Sequence, residues 1–320
     1  MKTSKALPLL LLILAILACS TILPEDPTPT PVLTSTPEPP SASPTTKPAT
    51  PTTTAPTETA DIVPDTSTPL SASASTPASL GPCGNVLYPM VLDNQWRYEI
   101  TSEGETSRLT FNVSAVDENT ATLQTLTLET GMTSETTVEC EDSTILNLPL
   151  SSLGFLFGDV EGDVELTYVS GVFAPSRQTF LDNDWNYTWE SEYVASGGFT
   201  FVDEGDVITV TLQDSPLYMT WQTAGAGDET FEAIEVQAGT FPQAIKITRE
   251  TTFDFTITFE EEGITGNVQA TLIYNHTLWY EPFVGLLKQQ SDQASIRIGA
   301  GTFPIEAGAV VELVEFRGGE

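Results

Sequence analysis

The sequence predicts an all-β fold, either an antiparallel curved sheet or an open barrel or sandwich, preceded by a disordered tether rich in Pro, Thr and Ser. Apolar and polar residues alternate over long stretches, which is typical of strands with one buried face and one solvated face. Turns rich in Gly, Asn, Asp and Ser separate these stretches. All 5 Trp, 8 Tyr and 15 Phe lie after residue 82, so we expect the folded part to begin there.

Residues 1–18 are predicted to be a signal peptide. Two lysines precede an apolar run from Ala6 to Ala18, which as a helix would span about 20 Å, too short for a bilayer core of about 30 Å. The stretch Ile16 to Cys19, "ILAC", resembles the lipobox of bacterial lipoproteins. This resemblance implies that Cys19 is lipidated and anchors the protein in the bacterial cell envelope, on the outer face of a membrane. The alternative is an ordinary cleaved signal peptide followed by a chance cysteine.

Residues 19–82 are predicted to be the lipidated cysteine and a disordered linker. Thr, Pro, Ser and Ala dominate this segment, and such a composition buries too little apolar surface to offset the entropy lost on ordering. A Pro-rich chain extends by about 3.1 Å per residue, so the linker reaches up to about 190 Å. It would hold the following domain away from the membrane.

Residues 83–320 are predicted to be a β-rich extracytoplasmic domain. The clearest alternation is "TTFDFTITFE", in which Phe253, Phe255 and Phe259 share one face. A turn at Glu260 to Gly263 follows, and the alternation then resumes as far as Tyr280. This pattern predicts a long β-hairpin.

Two stretches share the pattern Leu-Asp-Asn-x-Trp-x-Tyr, and their aromatic residues are Trp96, Tyr98, Trp185 and Tyr187. Asp and Asn favour a turn, and residues two apart on a strand share a face. The pattern therefore predicts a turn that leads into a strand with core aromatics. The alternative is an aromatic platform for a sugar or another flat ligand. The repeat also indicates two related halves, at about 85–177 and 178–320.

Cysteine use predicts one disulfide. If Cys19 is lipidated, Cys83 and Cys140 are the remaining pair in an oxidising compartment. Closing a loop of this length contributes about 4 kcal/mol in the chain-entropy model. The alternative is two free, buried thiols.

The formal net charge of −33 excludes nucleic acid as a partner, because no basic stripe is present to displace counterions from phosphate. We interpret the acidic residues as a solvated extracellular surface. Neither carboxylate cluster, at 159–165 or at 203–206, has the spacing of a calcium-binding EF-hand loop. We therefore predict no metal and no cofactor.

The sequence contains no recognisable catalytic constellation. Its single histidine, His276, is expected to be a structural residue with its hydrogen bonds satisfied. One histidine excludes the His and Cys zinc sites and leaves no choice of base for a nucleophilic triad. Nucleophile-elbow, phosphate-loop and dinucleotide motifs are absent from the sequence. We predict no catalytic residue and no enzymatic activity.

Three stretches resemble successive landmarks of a loose group of exported bacterial proteins, many of them lipoproteins, built on a β-rich domain of unknown function. They are "VLYPMVLDNQWRYEI" (86–100), "VQAGTFPQAIKITRE" (236–250) and "LWYEPFVGLLKQQSD" (278–292). In that group the domain opens with an Asn-x-Trp-x-Tyr strand, has a central Ala-Gly-Thr-Phe and closes with Trp-Tyr-x-Pro-x-Val-Gly-Leu-x-Lys. The resemblance implies an antiparallel curved sheet or open barrel, and it implies no activity.

These observations favour a membrane-anchored, non-enzymatic module that binds an extracellular ligand or stabilises the envelope. Its expected partners are the membrane, through the lipid anchor, and a polysaccharide or lipid ligand. A second hypothesis is a lipid or lipoprotein carrier, with an apolar cavity lined by Phe253, Phe255 and Phe259. A third is a carboxylate-dependent glycoside hydrolase, with one Glu of raised pKa beside an ionised partner.

Overall fold

A computed structural model describes residues 81–102, 105–148, 161–203, 206–225, 230–261, 264–305 and 309–319. The predicted signal peptide, Cys19 and all but the end of the predicted linker lie outside these described residues. The predictions made for them therefore stay predictions.

The described part of the chain consists of fourteen strands and one short helix. The strands are β1 (Gln95–Ser102), β2 (Glu105–Val116), β3 (Thr120–Thr127), β4 (Thr133–Glu141), β5 (Thr144–Asn147), β6 (Glu161–Gly171), β7 (Thr188–Asp203), β8 (Asp206–Thr223), β9 (Phe231–Val236), β10 (Gly239–Glu261), β11 (Ile264–Glu281), β12 (Gly285–Ile298), β13 (Gly301–Ile305) and β14 (Val310–Arg317). Helix α1 is Arg177–Asp182 and lies between β6 and β7.

All fourteen strands belong to one antiparallel sheet, in the order β5-β4-β3-β2-β1-β14-β12-β11-β10-β8-β7-β6, with β13 paired to β12 and β9 to β10. The sheet curls until its two edges approach each other. Ile145 of β5 exchanges backbone hydrogen bonds with Ala174, just after β6, at 2.9 and 3.0 Å. The result is a nearly closed, barrel-like sheet, which confirms the predicted all-β, curved antiparallel fold.

The hairpin that alternation predicts is formed by β10 and β11. Strand β10 ends at Glu261 and β11 begins at Ile264. The two strands pair from Ile245 opposite Tyr280 to Glu261 opposite Ile264. Phe253 and Phe255 are buried on the inner face, as alternation requires. Burying one such side chain stabilises the fold by roughly 1.5–3 kcal/mol. The side chain of Phe259 is outside the described side chains.

The residues before β1, 81–94, form a segment that ties the two sheet edges together. The side-chain amide of Asn85 donates to the carbonyls of Ser143 (2.7 Å), Ala174 (3.2 Å) and Pro175 (2.8 Å). Cys83 and Cys140, the pair that the sequence predicts, form a disulfide with Cα atoms 5.3 Å apart. This segment is therefore fixed to β4, to the β4–β5 turn and to the chain after β6.

The two Leu-Asp-Asn copies adopt different backbones, so the prediction of a turn that leads into a strand is wrong for the second copy. In the first copy, Asp93 has a φ of 66° in a turn and β1 begins at Gln95, which places Trp96 and Tyr98 on the strand. In the second copy, Leu181 and Asp182 end helix α1, Trp185 has a φ of 56°, and β7 begins only at Thr188.

The reason for this difference lies upstream of the second copy. The side chain of Ser176 accepts a hydrogen bond from the Thr179 amide and caps the N-terminus of α1. At the other end of the helix, Asn183 Nδ2 donates to the Thr179 carbonyl at 2.8 Å. The Leu-Asp-Asn residues therefore terminate a helix in this copy. The prediction of two related halves stays a prediction.

Candidate functional site

The outer face of β1–β4 carries an open groove of about 440 Å³. Register partners on the four strands place one polar side chain from each strand in a row across it. The row consists of Gln95, Asn112, Gln124 and Glu135. A second row includes Thr110, Leu126 and Thr133. Side chains alternate along a strand, so this face is opposite the one that buries Trp96 and Tyr98.

The groove offers paired donors and acceptors to a ligand. Each side-chain amide carries an NH₂ group and a carbonyl oxygen. Gln124 Nε2 donates to Glu135 Oε1 at 2.7 Å. The amides of Gln95 and Asn112 make no side-chain hydrogen bond to any residue in the described ranges. The volume is within the range of small-molecule sites, about 300–1,000 Å³.

Trp96 and Tyr98 are core residues rather than a platform. They are 5% and 6% exposed. The Trp96 indole N–H donates to the Val284 carbonyl, and the Tyr98 hydroxyl donates to the Leu286 carbonyl at 3.0 Å. Neither ring face is open to a ligand from solvent.

Trp185 and Tyr187 lie in a different aromatic group, and both are half-buried. Trp185 stacks on Phe180 with ring centres 5.0 Å apart. Tyr187 lies nearly parallel to Trp189, with ring centres 6.1 Å apart. These two aromatics are partly open to solvent, but protein rings already occupy one side of each.

A second polar site lies on the inner face of the sheet, around Arg249 of β10. In the register of the sheet, Arg249 lies between Trp221 of β8 and His276 of β11. Its side chain is 5% exposed. Its Nη2 donates to Gln289 Oε1 at 3.4 Å, and its Nε has no hydrogen-bond partner among the described residues.

Two tyrosines complete this site. The Tyr88 and Tyr280 hydroxyl oxygens are 2.5 Å apart, and both tyrosines interact electrostatically with Arg249. Burial raises the pKa of both hydroxyls, so both stay protonated and neutral. We name the following set the Arg249 cluster: Tyr88, Arg249, Thr251, His276, Tyr280 and Gln289.

The sequence predicts that His276 is a structural residue whose ring nitrogens have hydrogen-bond partners, and the structure differs from this expectation. His276 is 1% exposed, and neither ring nitrogen has a hydrogen-bond partner within the described part of the chain. Burial lowers its pKa to about 2, with a further contribution from Arg249. The ring is therefore neutral at physiological pH and presents one N–H donor.

The three sequence landmarks that lie far apart in the chain meet at the Arg249 cluster. Tyr88 belongs to the first, Arg249 to the second and Tyr280 to the third. A backbone hydrogen bond also joins the first landmark to the third, because the Phe283 amide donates to the Val86 carbonyl at 2.9 Å. Sequence reasoning missed this cluster, although Arg249 is in phase with the apolar residues Ile247 and Phe253, a signal of a buried cation.

Among the described carboxyl groups, the one with a distinctly raised pKa is Glu281, at the end of β11. Burial raises its pKa to about 7. The glycoside hydrolase hypothesis also requires an ionised partner carboxylate, and burial is the single cause that acts on the pKa of Glu281. Glu281 alone therefore does not form the carboxylate pair that this hypothesis predicts.

Within the described ranges, no group of three or more His, Cys, Asp or Glu side chains is placed to hold a metal ion. No helix in these ranges is long and apolar enough to cross a bilayer.

No protein-family model matches the chain, and no curated protein matches its sequence. Among solved structures, the crystal structure of a candidate lipoprotein from Parabacteroides distasonis ATCC 8503 is similar, with a TM-score of 0.42 and 13% sequence identity over 73% of this chain and 99% of that chain. A similarity of this extent transfers neither function nor location. The lipoprotein resemblance based on the three landmarks therefore stays a prediction.

Proposed function

We propose that this protein is a membrane-anchored extracytoplasmic lipoprotein of the bacterial cell envelope that acts as a non-enzymatic binding module. The outer groove of β1–β4 is its ligand site. The observation that carries the proposal is the row of amides across this groove, in which Gln95 and Asn112 have no side-chain partner among the described residues. Unused amides on a concave surface are suited to hydrogen-bonding a ligand.

The chemistry of the groove favours a neutral ligand rich in hydroxyl groups. An amide pairs with adjacent hydroxyls because it donates and accepts at the same time. The net charge of −33 repels anionic polymers. A neutral polysaccharide of the envelope or of the surroundings meets both conditions.

The anchor and the linker support this role. Lipidation at Cys19 would hold the chain on the membrane, and the Pro-rich segment up to residue 82 would place the groove far from the bilayer. A binding site so placed meets polymers outside the membrane rather than the lipid surface.

Binding is better supported than hydrolysis at this groove. A glycoside hydrolase uses two carboxyl groups about 5–10 Å apart. Among the described residues that line the groove, Glu135 supplies a carboxylate and the others supply amides, hydroxyls and one leucine.

The test is the affinity of the purified full chain for an array of neutral oligosaccharides, measured by surface immobilisation through the N-terminus. Asn112→Ala and Gln95→Ala should each weaken binding of a positive oligosaccharide at least five-fold. Gln222→Ala is the matched control, because Gln222 is an exposed amide on β8, away from the groove. Failure of every neutral oligosaccharide to bind, or equal losses in the control, would contradict the proposal. Release of reducing ends that Glu135→Gln abolishes would instead identify a hydrolase.

A further inference from the structure

The inner face of the sheet buries a cation that has no anionic partner in the described part of the chain. Burial lowers the pKa of Arg249, but an arginine guanidinium keeps its proton in proteins, so Arg249 is a cation. No Asp or Glu in the described ranges forms an ion pair with it. Besides burial, the groups that affect the pKa of Arg249 are the hydroxyls of Tyr280 and Tyr88, which are neutral. A buried charge without a counter-charge is strongly unfavourable.

Several neighbouring side chains also hold unused hydrogen-bonding groups. They are His276, Thr251 Oγ1 and Gln289 Nε2, none of which has a partner among the described residues. His276 is the register partner of Arg249 across β10 and β11, and Thr251 is two residues along the same strand face. All three side chains are at least nine-tenths buried. Buried water would satisfy such groups but would not balance the charge of Arg249.

We propose that the Arg249 cluster binds a carboxylate. The guanidinium presents its Nε and Nη2 edge, whose Nε–H is unused and whose Nη2–H makes only the 3.4 Å contact to Gln289. Two parallel N–H groups match the two oxygens of a carboxylate. The neutral His276 ring and the Gln289 NH₂ group add donors to the same anion.

The neighbouring rows of the inner face suit a carboxylate that carries an apolar chain. The next inward-facing residue on β10 after Thr251 is Phe253. This residue and its register partners on β8, β11 and β12 form a row of side chains that are all apolar and buried. They are Leu217, Phe253, Leu272 and Ile296. The carboxylate belongs either to a small acid that balances the charge alone or to a fatty acid whose chain packs on this row.

Two probes separate these sources, [1-¹³C]acetate and [1-¹³C]decanoate. The full chain, with its disulfide intact, is unfolded in urea and refolded with each probe in a neutral detergent, so that the buried site fills during folding. The carboxyl ¹³C resonance is then followed from pH 4 to pH 8. A carboxylate held by Arg249 stays ionised, so its resonance should not move with pH, whereas free or micellar probe titrates. A dissociation constant at least ten-fold lower for decanoate than for acetate would identify the fatty acid as the source, and equal constants would identify the small acid.

Three variants give the test its controls. Arg249→Gln should abolish the pH-independent resonance, and Arg297→Gln, the same change at an exposed position on β12, should leave it. Gln289→Glu is nearly isosteric and places a carboxylate beside Arg249 Nη2, so it should displace the probe while the melting temperature stays at or above that of the parent chain. The proposal is overturned if neither probe gives a pH-independent resonance, or if that resonance persists in Arg249→Gln or in Gln289→Glu. The Arg249 cluster and the outer groove are on opposite faces, so this result is independent of the oligosaccharide test.

Discussion

Replacing Asn85 by alanine should strongly destabilise the domain. Asn85 is fully buried. Its NH₂ group donates to the carbonyls of Ser143, Pro175 and Ala174, and its Oδ1 accepts from the amides of Leu87 and Tyr88 at 2.8 and 3.1 Å. One side chain thus joins the segment to both edges of the sheet.

The magnitude follows from these bonds. Two amide hydrogens and two accepted bonds make four full hydrogen bonds, and each contributes about 1 kcal/mol net. Asn85→Ala should therefore lower the free energy of unfolding by about 4 kcal/mol, a large share of the roughly 5–15 kcal/mol of a typical domain. With a slope of about 3 kcal/mol per molar urea, the midpoint would fall by about 1.3 M.

The assay is urea unfolding of the oxidised chain, followed by tryptophan fluorescence. Asn186→Ala is the matched control, since Asn186 is exposed in the turn after α1, and it should change the free energy of unfolding by less than about 0.5 kcal/mol. Asn85→Asp tests the direction in which the loss of stability changes with pH. Its carboxylate would face three carbonyl oxygens, so the variant should lose more stability at pH 7 than at pH 4. A loss below 1 kcal/mol for Asn85→Ala would refute the claim that Asn85 ties the sheet edges together.

Three further changes test other parts of the structure. Replacing Cys83 and Cys140 together by serine should lower the free energy of unfolding by about 4 kcal/mol for a loop of 57 residues, measured by the same urea titration, and an unchanged midpoint would contradict this. The folded-state pKa of Glu281 is raised from 4.5 to about 7, so the folded state binds the proton more tightly and stability falls as pH rises through that window. Glu281→Gln should remove this part of the fall, and parallel stability curves for the two proteins from pH 4.5 to 7 would contradict it. Cys19→Ser should abolish metabolic labelling with radioactive palmitate and release the chain from membranes, and retained label would show that Cys19 is not the lipid site.

The sequence predicts the local β-structure well wherever one strand face is buried. The β10–β11 hairpin is readable because Phe253 and Phe255 alternate with polar residues over a long stretch. Helix α1 is not readable, because six residues are too few to show a 3.6-residue stripe. Because Ser176 caps the start of this helix, Leu181 and Asp182 form its last residues instead of the turn that Leu-Asp-Asn predicts.

Local sequence patterns do not predict which strands pair with each other when the strands are far apart in the chain. Strand β14 pairs with β1, with Val311 opposite Ile100, and this contact closes the middle of the sheet across more than two hundred residues. Alternation gives each strand two faces, but it does not state which strand lies beside it.

The two sites differ in how visible they are in the sequence. The residues of the outer groove look like those of any solvated strand face, and the concavity arises from the twist and curl of the sheet. Arg249 is different, because an arginine in phase with Ile247 and Phe253 breaks the apolar pattern of an inner face. That break is a local signal, whereas its convergence with Tyr88 and Tyr280 depends on the fold.

The most direct test of the binding proposal is side-chain amide NMR of the ¹⁵N-labelled full chain during titration with an oligosaccharide that binds in the array. The side-chain NH₂ signals of Gln95, Asn112 and Gln124 should shift with a common dissociation constant, while that of Gln222 stays in place. Shifts confined to the indole N–H of Trp185 would place the ligand on the half-buried aromatics instead. Such a result would contradict the assignment of the groove as the ligand site.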